Sequence, residues 1–159
     1  MNSMIIEIKK VADDSELYIP TRATPGSAGY DIAAYLGKHK PTITMHPGET
    51  ALLRTGLAVN INDPNVTMLL LPRSKLGNAG LVLGNLTGVI DSDYQGEILI
   101  SAWNRSAQPI EIRHGQYIAQ AIFVPIIRAD LIEVDAFDTN TIRGCNGLGN
   151  DVKQDTGRD

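Results

Sequence analysis

Cysteine is almost absent from this chain. A single residue, Cys145, excludes an internal disulfide and agrees with a reducing compartment, and nothing beside it resembles a metal site. No apolar run approaches the roughly 18 residues that a helical membrane span needs. The opening MNSMIIEIKK lacks the basic start and apolar stretch of a secretory signal, so export is not expected. Excess positive charge is missing as well: the formal net charge is −4, which argues against a general nucleic-acid binder. An anionic ligand must then be met by local cations rather than by the overall field.

Long amphipathic helices, internal repeats and linkers are also lacking. What is present is 159 residues, 43% of them hydrophobic, enough for one domain with its own core. The apolar-rich segments are short and contain many β-branched residues, at 4–8, 57–61, 66–71, 98–103 and 117–127. Turn signals separate them, among them Pro25-Gly26, Pro47-Gly48, Asp63-Pro64-Asn65 and His114-Gly115. That cadence predicts an all-β, single-domain antiparallel sandwich or barrel. Within 97–103, Ile98, Ile100 and Ala102 share one face while Leu99, Ser101 and Trp103 share the other. Both faces are largely apolar, which predicts cover on both sides, by a second sheet or another subunit. Residues 109–112 read as a half-buried strand. One short helical turn is expected to start at Ser74, with that serine as its N-cap.

The densest polar chemistry lies in GNLTGVIDSDYQG at 84–96, which reads as a β-hairpin between apolar runs. Its glycines permit tight turns and close approach of a ligand to the backbone. Asn85 offers a donor and an acceptor together, which suits the edge of a nucleobase. Asp91 is a candidate proton acceptor, and Tyr94 a flat face for a ring. The plainer alternative, polar residues that decorate a turn, stays open on this segment alone. The longest run without Asp, Glu, Lys or Arg, 76–90, leads into it; a buried strand and turn would leave the same mark.

The segment closely resembles the third motif of the trimeric deoxyuridine triphosphatases (dUTPases), hydrolases that cleave dUTP to dUMP and pyrophosphate. SAGYDIAA at 27–34 resembles the first motif, PRSKLG at 72–77 the second, GQYIAQ at 115–120 the fourth and RGCNGLG at 143–149 a frayed fifth. All five stand in family order over most of the chain. The resemblance implies a jelly-roll-like β-barrel, a homotrimer with composite sites, Mg2+ as cofactor, and no nucleic-acid or membrane partner. It also implies attack of water on the α-phosphorus, with Asp91 as the base. Asp93 fits a turn-capping role better. Arg73 and Ser74 match positions that contact phosphates, Gln120 a glutamine that holds phosphate and ordered water, and Tyr94 the tyrosine beneath the deoxyribose. Backbone groups around 85–90, Asn85 and Gly88 among them, would read uracil. Asp31 matches the first motif's aspartate, near the metal and phosphates; a structural hydrogen-bond acceptor is the other reading.

Departures from the family pattern accompany the matches. Lys75 stands where the second motif commonly has glycine, adding charge and bulk beside the phosphates. Tyr117 replaces an arginine or lysine of the fourth motif. In the fifth, Asn146 replaces a glycine and Leu148 the phenylalanine that covers uracil, while Arg143, Gly144 and Gly147 remain. The expected organisation is a core at 1–138 and a mobile arm at 139–159 that closes over nucleotide. Two other functions are weighed: a weakened dUTPase-like trimer that binds nucleotide or a protein partner, and a dCTP deaminase relative. The expected location is the cytoplasm, or the host cytosol or nucleus if the chain is viral.

Overall fold

The computed structural model describes residues 4–12, 18–37, 39 and 41–145. Expectations placed on Asn146, Gly147 and Leu148 lie outside the described residues. The chain forms two compact units, Met1–Arg128 and Ala129–Asp159. The elements all belong to the first: β1 (Glu7–Lys10), β2 (Tyr30–Ala33), β3 (Thr42–Met45), β4 (Thr50–Asn60), β5 (Val66–Pro72), α1 (Ser74–Asn78), β6 (Leu81–Leu83), β7 (Gly88–Ile90), β8 (Glu97–Asn104), β9 (Ile110–Arg113) and β10 (Tyr117–Pro125). In the second unit the described residues, 129–145, form neither strand nor helix and are exposed.

The strands make one four-stranded sheet in the order β1-β4-β8-β6, another in the order β2-β10-β5-β7, and a two-stranded sheet, β3-β9. Every pairing is antiparallel. This is the expected all-β, jelly-roll-like architecture, with one short helix. Strand alternation explains the core. In β8, Ile98, Ile100, Ala102 and Asn104 point inward and are buried; from the opposite sheet come Ile32, Met68, Leu70, Ala119 and Ala121, and from the third Met45 and Ile112. Burying such side chains contributes about 1.5–3 kcal/mol each for the larger ones.

The outer face of β8 is only partly covered by the chain itself. Leu99 is 38% exposed, and Leu52 on neighbouring β4 is 65% exposed. Within one chain a single face of β8 is buried.

Two local expectations are corrected. Residues 84–96 do not form a hairpin: β6 pairs with β8 and β7 with β5, so the connection crosses from one sheet to the other. Leu86 takes φ 63° at the crossing. Gly88 then lies so close to β5 that a Cβ there would stand 3.1 Å from the Cβ of Leu70. Ser74 is not the N-cap of α1. Arg73 holds that position with extended backbone, φ −86° and ψ 135°, and no side chain caps the helix. Strand β5 runs through Pro72, and the helix begins one residue earlier than the motif suggests, with Ser74 its first helical residue.

The corner where β8 ends is held by Asn104, which is 0% exposed. Its Nδ2 donates to the carbonyls of Met45 at 2.9 Å and Gln108 at 2.8 Å, while its Oδ1 accepts from Ser106 N at 2.9 Å and Ser106 Oγ at 2.7 Å. A buried amide with every group paired ties three segments that no continuous ladder joins. Asn104→Asp should lower stability at neutral pH by about 2–4 kcal/mol, because a carboxylate oxygen would face two carbonyls. Urea unfolding at fixed protomer concentration measures this. An unchanged midpoint would show that the corner holds without the amide.

Candidate active site

Strand β10 lies between β2 and β5, and its register gathers the polar residues of three sequence motifs. Gln120 stands opposite Asp31 on one side and Leu71 on the other, and Ala119 stands opposite Pro72. Asp31, Gln120 and the exit of β5 at Arg73 are therefore neighbours, although 42 residues separate Asp31 from Arg73.

Arg73 and Asp31 form a two-point ion pair. Nε lies 2.9 Å from Oδ1, and Nη2 donates to Oδ2 at 3.1 Å. Nη1 donates to the Tyr117 carbonyl at 3.2 Å, and the Tyr117 ring centroid lies 5.7 Å from Cζ. The side chains remain 34% and 17% exposed, so the guanidinium is fixed yet reachable. Gln120 Nε2 donates to the Pro72 carbonyl at 3.0 Å. Gly29 makes room for that amide: a Cβ there would stand 2.6 Å from Gln120 Oε1.

These residues border an open cleft of about 730 Å³, whose wall also includes Ser27, Ser74, Lys75 and Gln116. Among the described residues no ion pair engages Lys75. Since the Arg73 charge is balanced by Asp31, Lys75 gives the cleft its excess positive charge. Arginine in a fixed fork, a free ammonium, a hydroxyl and a carboxamide form a donor set suited to phosphate oxygens.

The remaining candidates lie elsewhere. Asn85, Gly88, Asp91 and Tyr94 do not border this cleft. Asn85 and Asp91 are exposed, and Asp91 contributes its backbone carbonyl to Tyr94 N at 3.2 Å. Tyr94, 43% exposed, is held in place by its hydroxyl, which donates to the Glu97 carbonyl at 3.0 Å. Gly96 permits this fold-back, since a Cβ there would meet Tyr94 Oη at 2.5 Å. Thr67 Oγ1 anchors the end of β7 by donating to the Ile90 carbonyl at 2.8 Å. One chain thus brings Asp31, Arg73, Ser74, Lys75 and Gln120 together and presents Asn85, Asp91 and Tyr94 on exposed loops on either side of β7. Arg143 lies in the second unit.

Sequence reasoning passed over three contributors. Gly29 carried a signal, being a glycine inside the first motif. Tyr117 registered as a departure and proves to touch Arg73 twice. His114 and Gly115 registered as a turn only. Gly115 has φ 75°, and a Cβ there would stand 2.5 Å from the Tyr18 ring. His114 Nδ1 accepts the Leu36 N–H at 3.1 Å, so the neutral ring carries its proton on Nε2. That atom is buried without a partner among the described residues, and the ring's centroid lies 6.0 Å from that of Tyr18 and 5.3 Å from that of Tyr35. Together these contacts hold the turn that leads into the cleft wall.

No group of three or more His, Cys, Asp or Glu among the described residues is placed to hold a metal ion. Both Asp31 carboxylate oxygens are engaged by Arg73. No helix among the described residues is long and apolar enough to cross a membrane.

Known proteins agree with this geometry. The dUTPase family profile matches residues 15–151. The deoxyuridine 5'-triphosphate nucleotidohydrolase of Shewanella amazonensis is 48% identical over 136 residues, covering 85% of this chain and 87% of that protein. The enzyme of the same name from Shewanella loihica is 46% identical over 141 residues, covering 88% and 90%. Among solved structures, a mutant dUTPase of Staphylococcus bacteriophage 80alpha, bound to dUpNHpp, superposes with a TM-score of 0.79 at 26% identity, covering 93% of this chain and 98% of that one. A mutant dUTPase from phage phi11 of S. aureus, described with a structural Mg(II) ion, shares the fold with a TM-score of 0.73 at 24% identity, covering 85% and 99%. With five motifs in order, the matching barrel and relatives alike over most of its length, this chain belongs to the dUTPase family.

Proposed function

We propose that this chain hydrolyses dUTP to dUMP and pyrophosphate, with Asp91 as general base for a water that attacks the α-phosphorus. The observation that carries the proposal is the cleft in which Arg73, braced on Asp31 at 2.9 Å, stands beside Ser74, Lys75 and Gln120. These are donors for a triphosphate, in a chain 48% identical to a nucleotidohydrolase of that substrate. In the proposed mechanism the Arg73 fork and Lys75 ammonium bind phosphate oxygens, the Ser74 hydroxyl donates to another, and Gln120 orients phosphate and water. The carboxylate of Asp91 takes the water's proton as the new P–O bond forms and pyrophosphate leaves.

Uracil would be read by the backbone around Asn85 and Gly88. A donor aimed at uracil O4 meets another donor when cytosine arrives, which leaves polar groups unpaired. Tyr94, its ring fixed through Glu97, would lie beneath the deoxyribose where a ribose 2'-hydroxyl would clash.

The site is composite in this reading, because phosphate donors and base lie apart in one chain. A homotrimer would join Arg73 and Ser74 of one subunit, residues 85–94 of a second, and the arm 139–159 of a third with Arg143, Gly147 and Leu148. Exposed Leu52 and Leu99 support a further apolar cover on the β4–β8 face. Mg2+ would be held chiefly by substrate oxygens and water, with Asp31 reached through a water, since Mg2+ commonly binds one or two carboxylates beside substrate phosphates. When bound, the ion neutralises triphosphate charge. A cytoplasmic location belongs to the same proposal. Neither the dCTP deaminase reading nor that of a non-catalytic trimer is favoured by relatives named nucleotidohydrolases.

Asp91→Asn should keep dUTP binding and lose roughly 10²–10⁴-fold in kcat, because the amide preserves shape but cannot take a proton. Steady-state pyrophosphate release checks this, and near-normal turnover would remove Asp91 from the base's role.

Mixing Asp91→Asn subunits with Arg73→Ala subunits, each inactive alone, should restore part of the activity through sites that draw both intact residues from different chains. A strictly monomeric mass by light scattering at working concentration would refute the composite site.

Deletion after Ile142 should lower kcat/KM for dUTP strongly. Leu148→Phe should raise it, since base–aromatic stacking is worth about 1–3 kcal/mol and leucine supplies only part. A deletion without effect would make the tail a bystander.

A further inference from the structure

The Arg73 guanidinium is held from three directions before any ligand arrives. Arginine carries five N–H donors and no acceptor. Two of them reach Asp31, from Nε and Nη2, and one reaches the Tyr117 carbonyl, from Nη1. One N–H therefore remains on each Nη, two donors on adjacent nitrogens, which is what a pair of phosphate oxygens accepts. The group lies over the Tyr117 ring, with Cζ 5.7 Å from the centroid. There the negative face of the aromatic quadrupole attracts the cation.

Tyr117 is itself aimed by the backbone. In the β10–β2 pairing Tyr117 stands opposite Ala33 and Ala119 opposite Ile32, so Ile118 is an extra residue and the register shifts there. Ile118 turns inward and is 2% exposed. A bulge of this kind bends a strand and redirects the side chains beside it. The approach to Tyr117 is pinned as well: Gly115 N donates to the Ala34 carbonyl at 2.8 Å, and Ala34 N donates to the Gln116 carbonyl at 2.9 Å. The ring and the carbonyl thus reach Arg73 from a fixed piece of chain.

We propose that Tyr117 is a positioning residue for the triphosphate site: its ring and carbonyl hold the Arg73 guanidinium so that its two remaining N–H groups face the phosphates. Asp31 fixes one edge of the fork, and Tyr117 prevents rotation about the remaining axis. Without the ring, the group would swing on its bond to Asp31 and bind phosphate with a larger loss of freedom. The inference rests on Arg73 being a phosphate contact.

The experiment measures dUpNHpp affinity by calorimetry for four variants and two backgrounds. Tyr117→Leu should weaken binding roughly two- to five-fold, the range of a partly exposed cation–π contact. Tyr117→Phe and Tyr117→Trp, which keep a π face, should stay within about two-fold of the parent chain. Tyr117→Thr, a strand former, serves in place of the leucine variant if that one does not fold. The same substitutions on Arg73→Gln should cost nothing further, because a residue that acts through Arg73 has nothing left to position. Equal losses from Tyr117→Leu in both backgrounds would make the residue merely structural and overturn the proposal, as would a phenylalanine variant as weak as leucine. If Arg73→Gln alone leaves dUpNHpp affinity unchanged, the phosphate role of Arg73 fails and this inference fails with it. A damaging Arg73→Gln with additive Tyr117 losses would sink the Tyr117 role alone.

Discussion

The position of β10 between β2 and β5 is the constraint on which the rest of the site depends. A central strand pairs on both edges, so its register fixes two neighbours at once. Here that register sets Gln120 beside Asp31 and Ala119 beside Pro72. Side-chain period in a strand is two, so a slip of one residue would turn Gln120 away from the cleft and bury it. The slip is prevented by burial: Ile118, Ala119 and Ala121 are each no more than 2% exposed. Core packing and site geometry are therefore the same fact seen from opposite faces of one sheet.

Electrostatics then explains why this cleft is selective in charge despite a net charge of −4. Asp31 neutralises Arg73 at 2.9 Å and limits its attraction for a remote anion. In return it orders the fork, and order matters more than reach when a bidentate ligand must be met. Lys75 supplies what the pair gives up. Its ammonium is a mobile point charge, and it stands on α1, two residues after the arginine. In the proposed mechanism a fixed fork beside a flexible cation would divide the task of binding a triphosphate into orientation and neutralisation.

The fold was legible in the sequence where apolar segments were long enough to declare a period. Strands β5, β8 and β10 were anticipated nearly to their ends, and the 57–61 run proved to be the tail of a β4 that begins at Thr50. The short strands β2 and β3 were not named, because four residues such as YDIA carry too little pattern to distinguish strand from loop. The 84–96 hairpin was misread for a reason of topology. Two apolar runs joined by glycines look alike whether they pair together or join different sheets, and the choice rests on what β8 and β5 offer as partners. Residue identity exposed the candidates for the site, but not the Asp31–Arg73 pair, which joins positions 42 residues apart. Gly29 and Gly96 show the same limit: each clears space for a side chain, Gln120 or Tyr94, and the sequence records only that a side chain is missing.

The separation of the two halves of the site follows from the same topology. Strand β7 lies at the edge of the β2-β10-β5-β7 sheet, with β5 between it and the strand that carries Gln120. The loop after it therefore starts from the edge of the sheet opposite β2. No side-chain rotation can carry Asp91 across β5, since adjacent strands stand about 4.8 Å apart and two such spacings separate β7 from β10. In the proposed reading the carboxylate therefore starts two strands away from the strand that carries Gln120. Strand β7 is secured there by pairing with residues Met68, Leu69 and Leu70 and by the Thr67 hydroxyl. The economical route to a complete site is a second copy that places its own loop against the first copy's cleft. In the proposed trimer the assembly would serve the chemistry before it serves stability: the proposed donors and base, apart within one subunit, would be reunited by symmetry between subunits.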